Sequence, residues 1–111
     1  MKDEFVRRAV VKRWIDGDTV KVLVDLGFGV WQSATLRIVG VDCPERGTEG
    51  YGPAKFFASS IAPKDSEITV QTIKPGDASG QSFGRWLARV WAVDGRNVAD
   101  VLIANGYGNP A

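Results

Sequence analysis

The chain has no histidine and one cysteine, Cys43. Without histidine there is no Ser-His-Asp or Cys-His machinery, and no imidazole for acid–base work at neutral pH. A zinc site built from cysteine and histidine is excluded for the same reason. One cysteine forbids an intramolecular disulfide, so the fold is not a disulfide-stapled scaffold. No apolar run is long enough to span a bilayer. Charge of one sign is also scarce: 14 Lys and Arg stand against 13 Asp and Glu, for a net charge of +1. That balance does not suit binding by bulk phosphate attraction and leaves room only for local basic patches. Arg7, Arg8, Lys12 and Arg13 form one such cluster. A solvated outer strand face accounts for them, and nucleic-acid contact is the alternative. The opening residues, Met1 to Arg8, lack the apolar core of a signal peptide. The expectation is a cytoplasmic protein with no membrane contact, or a secreted one whose leader was removed.

What is present suits one small domain, 1–111. Thirteen glycines and four tryptophans suggest a turn-rich fold around a bulky core. Val6 to Trp14 reads as a first strand. Asp16-Gly17 is a tight-turn pair. Thr19 to Leu26 alternates strictly, with Val20, Val22 and Val24 on one face. Val30 to Val41 reads as a third, longer strand, in which Leu36, Ile38 and Gly40 oppose Arg37, Val39 and Val41. Residues 43–52 are a loop by composition. Pro53 to Ala62 reads as a helix whose Phe56, Phe57 and Ile61 face a core, with Pro53 well placed in its first turn. Glu67 to Lys74 and Arg85 to Val93 are the fourth and fifth strands. Asn97 caps a closing helix from Val98 to Asn105, which Gly106 ends in a left-handed conformation. This order predicts a mostly β, α+β domain: a five-stranded Greek-key barrel of the OB type, with a helix between strands three and four and a short C-terminal helix.

Carboxylates carry the chemical signal. Asp16 and Asp18 flank the turn glycine and precede an apolar strand. Asp42 ends Ile38-Val39-Gly40-Val41, where an acid needs a partner or a metal. Cys43 precedes Pro44 and is therefore biased to extended backbone, which can aim its carbonyl at a cation. Glu45 lies three residues past Asp42; beside a metal it can polarise a water as general base. Taken together these are oxygen ligands for a hard cation. They do not make an EF-hand loop: the sixth position from Asp16 is Lys21 and the twelfth is Gly27. Arg37 and the Arg85 of Phe83-Gly84-Arg85 add guanidinium clamps for a phosphate ester. Arg37 and Asp42 are an odd number of residues apart, which puts them on opposite faces of a regular strand. A bulge near Gly40 would bring them together.

In combination these residues resemble the staphylococcal (thermonuclease) nuclease family. The matching pieces are Ile15 to Lys21, Leu36 to Glu45, Tyr51-Gly52-Pro53, and Phe83-Gly84-Arg85 with Leu87-Ala88, followed by Asn97-Val98 and Leu102 to Gly106. The resemblance spans about residues 10–106. It implies an OB-fold barrel and Ca2+-dependent hydrolysis of phosphodiester bonds in single-stranded DNA or RNA, leaving 3′-phosphate products. It further implies Asp18, Asp42 and the Cys43 carbonyl as metal ligands, with Asp16 acting through water. Glu45 would be general base or water positioner, and Arg37 and Arg85 would clamp the scissile phosphate. Phe83 and Tyr51 would touch substrate.

This chain departs from the family pattern in places. Phe83 replaces the family tyrosine before Gly-Arg, and Ser82 replaces its lysine. Cys43 replaces the metal-loop threonine. Trp86 follows Arg85 where a small residue is common; it packs in the barrel or stacks on a base, with packing the expectation. The family's final helix is missing after Gly108-Asn109-Pro110-Ala111. A monomer is expected, and pairing with another chain is the alternative. The rival function is a catalytically silent OB module that grips single-stranded nucleic acid or a protein.

Overall fold

The computed structural model describes residues 6–73 and 85–111. In chain order the elements are β1 (Val6–Asp16), β2 (Thr19–Asp25), β3 (Trp31–Ile38), β4 (Val41–Asp42), α1 (Tyr51–Ile61), β5 (Glu67–Ile73), β6 (Arg85–Trp91), α2 (Val98–Ala104) and β7 (Asn109–Pro110). Strands β1, β2, β3, β6 and β5 close in that order into a barrel. Every neighbouring pair is antiparallel except β3 and β6, which run parallel. This is the mostly β, five-stranded OB-type barrel that the element order predicts, with its helix between the third and fourth barrel strands.

Alternation builds the core. Val20, Val22 and Val24 of β2, Leu36 and Ile38 of β3, Ile68 and Val70 of β5, and Ala88 and Val90 of β6 all point inward and are buried. Each fully buried aliphatic side chain contributes roughly 1.5–3 kcal/mol relative to exposure, so the two-residue period decides the register.

Two interruptions in β1 place the functional residues. Its pairing with β2 shifts between Val11 and Arg13 and again between Trp14 and Asp16. At each shift two residues oppose one, as in a β-bulge. The first bulge lets Val11 and Trp14 both turn inward although they are three apart, with Arg13 left exposed between them. The second lies at Ile15 and re-aims Asp16. The Tyr51 hydroxyl donates to the Ile15 carbonyl at 2.6 Å, which ties the start of α1 to that bulge.

Three expectations need correction. The third strand is not continuous to Val41. It stops at Ile38, and Gly40 takes φ +97°, a left-handed turn that separates β3 from β4. Phe56 does not face the core and is 75% exposed. Helix α1 meets the barrel through buried Ala54 and Ala58, and at about 100° per residue Phe56 falls on the far side. Half-buried Phe57 and Ile61 pack on its flank. Trp86 shares inward parity with Ala88 and Val90, yet at the start of β6 it sits on the barrel rim, 47% exposed. The segment after Gly106 adds a strand that the sequence does not predict: β7 pairs with β4, Pro110 opposite Val41 and Asn109 opposite Asp42.

Asn97 caps α2 as expected, its side chain accepting from the Asp100 N–H at 3.1 Å. Gly106 takes the left-handed conformation, φ +83°. Among the described residues no helix is long and apolar enough to cross a membrane.

Candidate active site

At one end of the barrel the β1–β2 turn meets β4 and the loop after it. Gly17 makes this approach close. A Cβ there would stand 2.8 Å from the Cys43 Sγ and 3.1 Å from the Ala54 Cβ, so any side chain would push the turn off both. The resulting pocket, about 360 Å³ in volume, is lined by Asp16, Asp18, Arg37, Asp42, Cys43 and Glu45, with Thr19. Six positions picked out from sequence therefore converge on one cavity.

Asp18 is the fixed point. Its side chain is 11% exposed. Its Oδ2 accepts the Cys43 backbone N–H at 2.8 Å, and its Oδ1 accepts the Thr19 hydroxyl at 3.2 Å. Its backbone carbonyl accepts the Ile38 N–H at 2.8 Å. Hydrogen bonds to a carboxylate are worth about 1.5–3 kcal/mol each, so this side chain has one place to be.

Arg37 crosses the pocket. Thr19 and Arg37 are partners across β2 and β3. The guanidinium donates to the Ile38 carbonyl at 2.7 Å and the Val41 carbonyl at 2.9 Å, so it braces the Gly40 turn from inside. It also donates to Asp42 Oδ1 at 2.5 Å and lies 3.6 Å from Asp18 Oδ2. The turn at Val39-Gly40 is what brings Arg37 and Asp42 to the same side despite their odd spacing. Asp42, however, is 63% exposed, and ion pairs that exposed are worth about 0–1 kcal/mol. Asp18 is held and Asp42 is releasable.

Asp16 is strained electrostatically. Its Oδ1 is buried and has no hydrogen-bond partner. Burial holds its pKa above the ordinary carboxylate value, and neighbouring Asp18 adds to this, while the Thr19 hydroxyl and Arg37 pull the other way. Glu45 is exposed at the pocket mouth. Its backbone carbonyl accepts from the Thr48 N–H at 3.1 Å and the Thr48 hydroxyl at 2.7 Å, which fixes the loop and leaves the carboxylate to solvent. Burial and the surrounding aspartates push the Cys43 thiol up to about 12, so it stays protonated and is neither nucleophile nor soft ligand.

Among the described residues no three acidic, histidine or cysteine side chains close around one point as a ready metal cage. The arrangement explains why: Arg37 lies against both Asp18 and Asp42. In kind, the donors suit a hard cation, because they are oxygens and one of them, Asp16 Oδ1, is buried and unsatisfied.

The remaining expected positions are less informative. Arg85 opens β6 opposite Thr35 of the parallel strand β3, and its side chain lies outside what is described. Phe83 and Ser82 lie outside the described residues. Tyr51 stands at the start of α1 with its hydroxyl committed to Ile15; the Arg46 and Lys55 cations lie 5.9 and 5.6 Å from its ring centroid.

The family model described as staphylococcal nuclease homologue matches residues 35–110. The chain belongs to this family. Endonuclease YhcR of Bacillus subtilis (strain 168) is 30% identical to it over 106 residues. That alignment covers 88% of this chain but 8% of the relative, so the chain spans a small part of the length of the curated protein it matches. In this staphylococcal nuclease homologue the matched stretch contains Arg37, Asp42, Cys43 and Glu45, whereas Asp16 and Asp18 precede it. Hydrogen bonding and charge join the two parts: Asp18 to the Cys43 N–H, and Arg37 to Asp18.

Thr19 and β7 were not singled out from sequence. Thr19 is 5% exposed and holds Asp18; a buried hydroxyl beside an acid was the available signal. Nothing in Gly108-Asn109-Pro110 announces a strand, since a two-residue bridge leaves no periodicity.

Proposed function

We propose that this domain is a nuclease that hydrolyses phosphodiester bonds of DNA or RNA with the help of a divalent cation, calcium by family resemblance. The observation that carries the reading is the convergence of Asp16, Asp18, Arg37, Asp42 and Glu45 on one pocket. Asp18 and Asp42, with the Cys43 carbonyl, would hold the cation, and Asp16 would reach it through water. When bound, such a cation polarises the phosphate and offsets the charge that builds on it.

The chain's own residues supply the rest. Glu45, with its carboxylate facing solvent, holds a water and takes its proton as the water oxygen attacks phosphorus. The P–O5′ bond breaks, the 5′-oxygen leaves and takes a proton from water, and the 3′-phosphate stays on the other fragment. Arg37 and Arg85 donate to the non-bridging oxygens as charge accumulates in the transition state. Arg37 can do this because its link to exposed Asp42 is weak: a dianionic transition state competes well for the guanidinium. The half-buried thiol of Cys43 takes no part.

The test is incubation of single-stranded DNA and RNA with Ca2+ or with EDTA at alkaline pH, followed by end-group analysis. The reading expects fragments only with the cation, carrying 3′-phosphates. Fragments of unchanged yield in EDTA would overturn the metal role, and absence of any fragment would overturn the nuclease.

A further inference from the structure

A second concave surface shares no residue with the acid pocket. It is a groove of about 400 Å³ between β1 and α1, floored by Trp14 and lined by Lys12, Arg13, Lys55, Phe56 and Lys64. Among the described residues no acid lines it, although the whole chain is nearly neutral at +1. Four cations in one groove are therefore a local concentration of charge.

The fold builds this surface rather than tolerating it. The first β1 bulge turns Lys12 and Arg13 away from the core together, while Val11 and Trp14 go in. The Trp14 indole N–H donates to the Ala62 carbonyl at 2.8 Å and fixes the floor. Lys12 is partly committed, with its Nζ 3.3 Å from exposed Asp65. Phe56 shares the groove with these cations and has 75% of its surface in water, so its ring is accessible for stacking. Cations alongside an exposed ring are what single-stranded nucleic acid needs: positive charge for its phosphates plus a stacking face. The groove and the acid pocket draw on the same strand, since β1 carries both Trp14 and Asp16.

We propose that the β1–α1 groove binds single-stranded nucleic acid outside the cleavage pocket, with Arg13, Lys55 and Lys64 on successive phosphates and a base stacked on Phe56. The proposal rests on the nucleic-acid reading of the acid pocket for its ligand class, but it requires no cleavage.

The experiment measures binding of a labelled oligonucleotide of about twelve nucleotides, within the span of one small barrel, in EDTA and across a salt series. Phe56→Ala should weaken binding about tenfold with the salt slope unchanged, and Phe56→Trp should restore it. Arg13→Glu with Lys64→Glu should weaken binding and lower the slope of log K against log salt by about 0.7 for each phosphate that is no longer neutralised. Both changes are on exposed side chains, and circular dichroism and Tm confirm folding. Hydrolysis of a short diester that reaches only the acid pocket should stay at the wild-type rate. Binding by the variants at wild-type affinity and slope would overturn the groove, as would tight wild-type binding that Phe56→Ala and Phe56→Trp weaken equally. Groove-dependent binding by a protein that cuts nothing would uphold this inference while the nuclease reading fails.

Discussion

The acid pocket and the basic groove share one strand and use it in opposite ways. In the pocket most charges are tied to a partner: Asp18 to Cys43 and Thr19, Arg37 to two carbonyls and two carboxylates. In the groove, Arg13 and Lys64 are exposed, and among the described residues only Lys12 is held by an acid. A site that performs chemistry needs groups fixed to within a fraction of an ångström. A surface that follows a flexible polyanion gains from mobile cations and one flat ring. On the proposed readings the two β1 bulges serve different ends, the first turning Lys12 and Arg13 toward the groove and the second aiming Asp16 into the acid pocket.

The strongest break of this comparison is to remove what both regions lean on. Ile38 is fully buried and its N–H binds the Asp18 carbonyl. Ile38→Ala should cost about 2–5 kcal/mol, read as a lowered denaturation midpoint, with cutting and oligonucleotide binding lost together. Next, Arg37→Lys keeps the charge but loses the planar fork that spans Val41, Ile38 and Asp42. Cleavage should fall roughly 10- to 100-fold while groove binding stays unchanged in the same oligonucleotide assay.

Gly40→Ala is a smaller perturbation. Space is available, since an added Cβ would lie 3.8 Å from the Ala99 Cβ, but φ is +97°. Backbone strain of about 1–2 kcal/mol should appear in equilibrium unfolding, and cleavage should drop as the Arg37–Asp42 turn shifts. The smallest effect concerns Asp16. Its folded pKa is above the ordinary value because burial disfavours the charged form. Ionising it therefore opposes folding, and this penalty is absent at pH below the ordinary carboxylate value of about 3.9 and grows as pH rises through the folded pKa. Asp16→Asn should raise the Tm of the metal-free protein at neutral pH and leave it unchanged near pH 3. A lower Tm at neutral pH would contradict the assignment.

Much of this was legible in the chain. Alternation in Thr19 to Leu26 and in Leu36-Arg37-Ile38 announced the barrel faces, because burial on one side forces a period of two. The pocket acids were legible because carboxylates at the ends of apolar strands have few cheap explanations. The third strand ran too far because Gly40 follows three residues that all suit a strand; the odd spacing of Arg37 and Asp42 pointed to an irregularity near Gly40, and its positive φ shows that this is a turn rather than a bulge. Phe56 misled because a phenylalanine in a helix usually marks the buried face, whereas here alanines pack on the barrel and leave the ring free. The bulges that aim Arg13 and Asp16 depend on pairing with β2 and leave no mark in β1 alone.

One measurement tests the division of labour directly: cleavage and binding of the same single-stranded oligonucleotide by Glu45→Ala. The account predicts a cleavage rate at least roughly 100-fold below wild type, as for loss of a general base, with oligonucleotide affinity in EDTA unchanged. Cleavage near the wild-type rate, or loss of binding along with cleavage in a folded variant, would contradict it.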